Sequence, residues 1–352
     1  MSRLGWAVAA LALGLILLAG GLEAAGYDAA GALGALWSGA FGSWYSISSG
    51  TLPRSVPLIL IGLGLALGFR GGALNIGAEG QFYAGAIAAT WIGLHVAARP
   101  AVIAIPALLL AAALAGGLWV ALPVWLKLRF GVIEVISTLL LNLVAEALVS
   151  LMVQGPLQEP TRVYPQSDVI AQSARLPLLF GTRLHAGFLL SLVAVLVFWY
   201  VFARTLWGFH LRAAGLGPRA AQVSGGIDSQ RIGATALLVS GAMAGLAGGV
   251  EVSGVSYALY QNLSPGYGFT GIAVALLGGL HPIGVLVAGI LIGALESGAG
   301  AMQRDAGVPS VAVYVVEAVI IIVAALATAP KAGWSDVRVI RRIRSSAQRV
   351  IG

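Results

Sequence analysis

Seven polar residues within two apolar stretches of this chain have the chemistry to bind a polar solute. Asn75, Glu79 and Gln81 lie in the glycine-rich stretch GGALNIGAEGQFYAG, residues 71–85. A second set is spaced four residues apart and consists of Glu134, Thr138, Asn142 and Glu146. Because steps of four residues turn about 400° around an α-helix, these four side chains form one polar stripe. Carboxylates accept hydrogen bonds, and amides both donate and accept them.

Catalytic chemistry finds no support in the sequence. The chain contains no cysteine, and its four histidines are scattered without the spacing of a metal site. It has no GxxxxGK[ST] phosphate loop and no nucleophile–base pair. We therefore expect no enzymatic activity, no metal or cofactor, no nucleic acid partner, and no ATP hydrolysis by this chain.

The composition indicates an all-α, polytopic membrane protein. Charged residues make up 9% of the chain and hydrophobic residues 59%, whereas soluble domains carry about 25% charged residues. The abundant glycine and alanine fit close helix packing in lipid. We expect one transmembrane domain over residues 1–330 and a basic cytoplasmic tail over 331–352.

Ten segments come close to the roughly 20 apolar residues that a membrane-spanning helix needs. They are 4–22, 55–69, 78–97, 101–123, 132–153, 184–203, 233–251, 268–281, 283–302 and 310–328. The second and eighth are short, and interrupted spans in transporters often mark a pathway. Fourteen of the twenty Lys and Arg residues fall on the side of the N-terminus. The positive-inside rule then predicts that both termini are cytoplasmic.

The buried polar residues leave more than one interpretation open. A carboxylate in mid-bilayer costs several kcal/mol unless it meets water or a partner, so Glu79 either lines a pathway or pairs with a group such as Arg70. Asn75 and Gln81 either cap a broken helix or contact solute. The stripe from Glu134 to Glu146 either joins helices or lines the pathway, and Asn142 is nearest its middle. Glu251, Glu296 and Glu317 are further buried candidates, and Glu251 and Tyr257 fit an interfacial position.

A basic segment, residues 204–231, is the longest connection predicted on the cytoplasmic side. It contains a helical piece over 211–214, a Gly/Pro break over 215–218, and a second helical turn over 219–224. Arg212 and Arg219 supply directional hydrogen-bond donors. By composition alone this segment fits an ordinary basic loop as well as a docking surface.

Four motifs resemble one family of membrane proteins. FHLRAAGLGPRAAQVSGGI (residues 209–227) is similar to the coupling loop of ATP-binding-cassette importer permeases, in the branch that serves ribose, branched-chain amino acids and nucleosides. Gly217 stands where that family usually has Asn. LNIGAEGQF (74–82), EVISTLLLNLVA (134–145) and GFTGIAVALLGGLHPIG (268–284) resemble its nucleoside-permease subgroup, with Leu280–His281 in place of a more polar pair. The resemblance covers about residues 50–330.

This resemblance implies a fold, partners and a cargo. The fold would be that of a type II importer permease, with about ten helices, some discontinuous, in a bacterial inner membrane. Partners would be an ABC ATPase subunit, a second permease (identical or homologous), an extracytoplasmic substrate-binding protein and membrane lipid. The ATPase would contact Gly208, Leu211, Arg212, Ala213, Gly215, Pro218, Arg219 and Gly225.

Nucleosides are the expected cargo, and two alternatives remain. The first keeps the class of transporter and changes the cargo to a sugar, a branched-chain amino acid or a vitamin. An amino-acid zwitterion would favour paired charges in the pathway, and the sequence supplies acids there but few bases. The second is an ion-coupled secondary transporter in which Glu79 or Glu146 carries the coupling charge.

Overall fold

The computed structural model describes residues 3–328, and the predicted basic tail over 331–352 lies outside them. Within the described range the chain forms fourteen α-helices and no β-strand, with only three isolated β-bridges, as the all-α prediction requires. The helices are α1 (Arg3–Ala24), α2 (Ala29–Phe41), α3 (Trp44–Ser46), α4 (Leu52–Arg70), α5 (Ala78–His95), α6 (Ala101–Phe130), α7 (Glu134–Val153), α8 (Gly187–Arg204), α9 (Leu206–Leu216), α10 (Pro218–Gly225), α11 (Ser229–Glu251), α12 (Tyr267–Leu277), α13 (Pro282–Ala306) and α14 (Val313–Thr328).

Six continuous helical stretches in the described range are long and apolar enough to cross a membrane. They are Trp44–Arg70, Ala101–Phe130, Glu134–Val153, Gly187–Arg204, Ser229–Ser256 and Pro282–Ala306. Each of the ten predicted segments overlaps one helix. The prediction that the second segment is short was wrong, because a π-helical turn over Ile47–Thr51 joins α3 to α4 in 27 continuous helical residues. The eighth segment is short: α12 has 11 residues, about 16 Å at 1.5 Å per residue.

Helix α4 occupies the centre of the bundle. Every residue from Ser55 to Gly68 is buried, and the helix packs against α11, α12 and α13. A helix that is apolar on all sides must be surrounded by protein or lipid, and here protein surrounds it. Helices α6, α7 and α8 lie at the periphery. Only 22%, 22% and 28% of the residues in their most apolar 18-residue stretches are buried.

Small residues bring α11 and α6 into backbone contact. The sequence predicts a packing seam from Gly241, Gly245 and Gly249. A Cβ atom on Gly245 would clash with the carbonyl oxygen of Ala112, and one on Gly116 would clash with that of Gly241. The seam is therefore confirmed, since any side chain at these positions would force the two helices apart.

The bundle has two distinct ends, joined by α8. One end carries the connection over residues 154–186 and is called the loop end; the other carries α9 and α10 and is called the coupling end. The connection docks on residues that follow α11: Ser167 N donates to Leu259 O (2.7 Å), and Leu176 N donates to Ser253 O (2.9 Å). The 18 residues of α8 separate the two ends by about 27 Å.

Candidate functional site

A helix break between α4 and α5 organises most of the predicted polar residues. Helix α4 ends at Arg70, α5 begins at Ala78, and the residues between them are non-helical. Asn75 Nδ2 donates to Gln81 Oε1 (2.7 Å) and to Ser240 Oγ (2.9 Å), while Asn75 Oδ1 accepts from Gln81 Nε2 (2.9 Å) and Gly77 N (3.0 Å). The two buried amides therefore satisfy each other and fix the path of the break.

Helix α7 holds the start of α5 through side chains of its polar stripe. Asn142 Oδ1 accepts from Gly80 N (2.8 Å), and Asn142 Nδ2 donates to Ile76 O (3.0 Å). Thr138 Oγ1 accepts more weakly from Ile76 N (3.4 Å). The first N–H groups of a helix lack partners within the helix, and Asn142 satisfies one of them from a neighbouring helix.

Glu79 joins two helix N-termini. Its Oε2 accepts a hydrogen bond of 2.6 Å from the backbone N–H of Gly268, in the first turn of α12. A Cβ atom on Gly268 would clash with the backbone of Glu79, so the two helix starts are in direct contact. A carboxylate is stabilised at such a position by the free N–H groups and the helix dipole. Arg70, one possible partner of Glu79 in the sequence, places its guanidinium 4.6 Å from the ring centroid of Phe202.

The two remaining residues of the stripe have different surroundings. Glu134 pairs with Lys127 across the α6–α7 turn, with 2.6 Å between Oε1 and Nζ. Glu146 is exposed on α7. The structure thus gathers Asn75, Glu79, Gln81, Thr138 and Asn142 around one helix break. Glu134 reaches the same break from the start of α7, because its carboxylate lies beside the backbone of Leu74.

A cavity of about 810 Å³ opens at the loop end, and the predicted site residues do not line it. Its walls come from the ends of α4, α11, α13 and α14 and from the loops beside them. The charged lining residues within the described range are Arg54, Arg183, Glu251 and Glu296. Tyr257, Tyr260, Tyr267 and Tyr314 supply aromatic surface. We call this space the loop-end cavity.

The sequence marked Glu251 and Glu296 as buried polar candidates but missed the cavity they share. Glu251 ends α11, whereas Arg54 lies in the first turn of α4 and Glu296 lies in α13. A detectable signal was the tyrosine-rich stretch SYALYQNLSPGY, residues 256–267, which begins five residues after Glu251. A pattern of helical or strand spacing does not reveal such a site, because its residues come from separate elements.

The coupling segment over residues 204–231 forms two helices, α9 and α10, both longer than the predicted helical pieces. The break between them lies at Gly217. Arg212 Nη1 donates to Phe202 O and ties α9 to the end of α8. Four large apolar side chains on these helices are exposed: Leu206, Phe209, Leu216 and Val223. This apolar surface on α9 and α10 is called the coupling surface.

The coupling segment touches the helix break directly. A Cβ atom on Gly215 would clash with the carbonyl oxygen of Arg70, the last residue of α4. Leu211 is fully buried, and its Cδ1 lies against Gly71. A displacement of α9 must therefore move the segment that Asn75 and Asn142 hold in place.

A family model described as "Branched-chain amino acid transport system / permease component" matches residues 47–325. This match spans both the helix break and the coupling segment. The chain belongs to this permease family. The permease is accordingly a multi-pass membrane protein, and the resemblance read from its motifs is confirmed.

Curated relatives of this permease carry different cargo names. The guanosine ABC transporter permease protein NupP of Bacillus subtilis is 39% identical over 317 residues, which cover 89% of this chain and 90% of NupP. The glucose ABC transporter permease protein TsgB13 of Haloferax volcanii is 35% identical over 326 residues, covering 90% of this chain and 84% of TsgB13. NupQ, a second guanosine ABC transporter permease of Bacillus subtilis, is 27% identical over 254 residues, covering 70% of this chain and 79% of NupQ. No solved structure gives a significant match.

The permease's predicted pathway residues have defined structural contacts, and their contact with a solute stays a prediction. Four of the five residues around the break (Asn75, Glu79, Gln81 and Asn142) make hydrogen bonds of 2.6–3.0 Å to protein groups. Among the described residues no group of three or more His, Asp or Glu side chains is arranged to hold a metal ion.

Proposed function

We propose that this permease carries nucleosides across a bacterial inner membrane as one subunit of an ATP-driven importer. The observation that carries the proposal is the similarity to the guanosine permease NupP, at 39% identity over nine-tenths of both chains. A neutral hydroxylated solute also suits a molecule whose interior polar groups around the break are mostly uncharged amides and hydroxyls.

A sugar is the second candidate cargo, because the glucose permease TsgB13 is 35% identical over a similar length. Nucleosides and sugars share a hydroxylated ring and differ in the base. The sequence identities to NupP and TsgB13, 39% and 35%, are too similar to decide between a nucleoside and a sugar. An uptake measurement must decide the cargo.

We place the ATPase contact on the coupling surface of α9 and α10. Leu216 and Val223 are 90% and 87% exposed, and apolar side chains exposed to this degree on a helical pair fit a protein partner. Arg219, also exposed, can bind an acidic or carbonyl group beside them. Arg212 supports this surface from behind, because it is already bonded to the carbonyl of Phe202.

Movement of the ATPase would reach the pathway through the contact of Gly215 with Arg70. The helix break beyond Arg70 is held by Asn75 and Asn142. We infer that ATP-driven motion of α9 shifts this break relative to α7, whose exposed Glu146 would face the translocation pathway. The transport cycle thus needs no bond chemistry in this chain.

Further partners follow from the class of transporter. The similarity to both NupP and NupQ, two guanosine permeases of one organism, favours a pair of different permease subunits. An extracytoplasmic binding protein would deliver solute to the loop end, and a separate subunit would hydrolyse ATP. With the coupling end inside the cell, both termini are cytoplasmic, in agreement with the distribution of Lys and Arg.

The cargo is tested by uptake in the source cells with and without an in-frame deletion of the gene. Labelled guanosine, uridine and glucose are compared at several concentrations. Loss of guanosine or uridine uptake with glucose unchanged is the expected result. Loss of glucose uptake alone would replace the nucleoside proposal by the sugar candidate.

The energy source is tested in the same cells. We expect ATP depletion to stop uptake and a protonophore to leave the initial rate unchanged while ATP is maintained. The reverse pattern would establish the ion-coupled transporter.

The coupling surface is tested by Leu216→Glu and Val223→Glu, which change only exposed side chains. Both variants should reach the membrane but fail to co-purify with the ATPase subunit. Val163→Glu is the matched control, since Val163 is an exposed apolar residue in the connection at the other end. Retention of the ATPase by both coupling variants would remove this assignment.

A further inference from the structure

We propose that the loop-end cavity is a solute site in which the Glu251 carboxylate binds the vicinal hydroxyls of the cargo's sugar ring. The inference rests on the proposed function and adds a location and a chemistry to it. Its first support is position, because the cavity lies at the end of the bundle where an imported solute would arrive.

Glu251 is a buried acceptor without a protein donor. It is 5% exposed and lines the cavity, and no described residue donates a hydrogen bond to its carboxylate. Burying a carboxylate is costly unless hydrogen-bond donors meet it. A pair of adjacent hydroxyl groups offers two O–H donors at the spacing of two carboxylate oxygens. Hydrogen bonds to a charged acceptor are stronger than hydrogen bonds between neutral groups.

The charges around the cavity balance. The lining contains two carboxyl groups, those of Glu251 and Glu296, and two guanidinium groups, those of Arg54 and Arg183. With both carboxyls ionised, these charges cancel. A cavity without net charge favours a neutral polar solute over a nucleotide or a sugar acid, because an added charge would be left uncompensated in a partly dehydrated space. Nucleosides and sugars are neutral, so both fit.

Aromatic surface beside Glu251 gives the base a place to bind. Tyr257 is held in position by Arg175, whose guanidinium lies 4.8 Å from the ring centroid. Tyr260 lines the same wall, and burial together with the nearby Glu251 carboxylate raises the pKa of Tyr260. Tyrosine rings stack on planar bases, and their hydroxyl groups remain available as donors.

The size of the cavity suits one such molecule. Ligand pockets are about 300–1,000 Å³, and this one measures about 810 Å³. The space can hold a ring at Glu251 and a base against Tyr257 and Tyr260 at the same time. The geometry therefore predicts that loss of the hydroxyls weakens transport more than a change of base.

The test measures KM and maximal rate for guanosine and 2′,3′-dideoxyguanosine in cells that express the complete transporter. In the parent protein the dideoxy compound should have a KM about tenfold or more above that of guanosine. Glu251→Gln should raise the KM for guanosine by about tenfold while leaving that for the dideoxy compound within about twofold. Asp168→Asn, which changes an exposed carboxylate of the loop-end connection outside the cavity lining, is the matched control and should change neither KM.

Each outcome bears on one of the two proposals. Absence of guanosine transport by the parent protein overturns the nucleoside function and, with it, this assignment. Normal guanosine transport with unchanged discrimination in Glu251→Gln overturns the site and leaves the function standing. Membrane content is measured by immunoblot. If Glu251→Gln is not inserted, Tyr260→Phe provides the comparison: a raised KM for both compounds supports the site, and an unchanged KM overturns it.

Discussion

The carboxylate of Glu79 accepts a 2.6 Å hydrogen bond from the backbone N–H of Gly268, although 189 residues separate them in the chain. This bond joins the N-termini of α5 and α12. Two helices that start inside the bundle would otherwise leave unpaired N–H groups in a region without water. A single carboxylate at their junction stabilises one free N–H and the positive ends of both dipoles.

Removal of the Glu79 side chain should therefore destabilise the protein. We expect Glu79→Ala to lower the free energy of unfolding by about 1–3 kcal/mol, because the Gly268 N–H is left buried and unpaired. Glu79→Gln keeps an acceptor and should lose less than half as much. Thermal denaturation of the detergent-purified protein measures both, and equal stability of Glu79→Ala and the parent would contradict the junction role.

Asn142 should be equally sensitive to substitution. Asn142→Leu leaves Gly80 N–H and Ile76 C=O without their partner, so we expect a lower denaturation midpoint together with loss of uptake. Leu143→Ala is the control, since Leu143 is the next residue of α7 and is exposed. If Asn142→Leu keeps full stability but transports poorly, Asn142 acts on solute rather than on the helix break.

The contact between Gly215 and Arg70 should couple ATP hydrolysis to transport. Gly215→Ala forces α9 away from the end of α4, so we expect the ATPase to bind and hydrolyse ATP while uptake falls at least tenfold. Gly217→Ala is a close control: its φ of −162° is open to any residue, and its Cβ would lie 3.6 Å from the nearest atom, an ordinary contact. Normal uptake by Gly215→Ala would show that movement is transmitted elsewhere.

His185 should make the protein less stable in mild acid. This residue is buried at the loop end, Nδ1 accepts from Gly187 N (3.2 Å), and Nε2 has no partner among the described residues. Burial lowers the pKa of His185 from 6.5 to about 4. Because the unfolded chain takes up the proton first, stability falls as pH drops from about 6.5 towards 4.

Between pH 7.5 and pH 5, His185 alone should lower the free energy of unfolding by about 2 kcal/mol. His185→Gln should therefore show a smaller shift of the denaturation midpoint between these two pH values than the parent does. His95→Gln serves as the control, because His95 is exposed at the end of α5. An equal shift in the parent and His185→Gln would assign the acid sensitivity to other groups.

The helices, the helix break, one helix contact and the family of this protein follow from its sequence alone. Apolar runs of membrane-spanning length predict the helices, since a helix pairs its own backbone N–H and C=O groups where lipid offers them no partner. The glycines around residues 71–85 predict the helix break, and the spacing of Gly241, Gly245 and Gly249 predicts the close contact that α11 makes with α6. The motifs of residues 74–82 and 209–227 identify the family. All of these are local patterns, in which neighbouring residues carry the signal.

Only the tertiary structure decided which partners the polar side chains use. By its place in the sequence Glu79 could line a pathway or pair with Arg70, nine residues away, and in the fold its carboxylate bonds to Gly268. The stripe that contains Asn142 could join helices or line the pathway, and in the fold Asn142 holds the start of α5. The loop-end cavity, with Arg54, Glu251 and Glu296 from three separate helices, has no local signature. Hydrogen bonds and charges act over a few ångströms in space, and the packing of distant helices determines which groups come within that range.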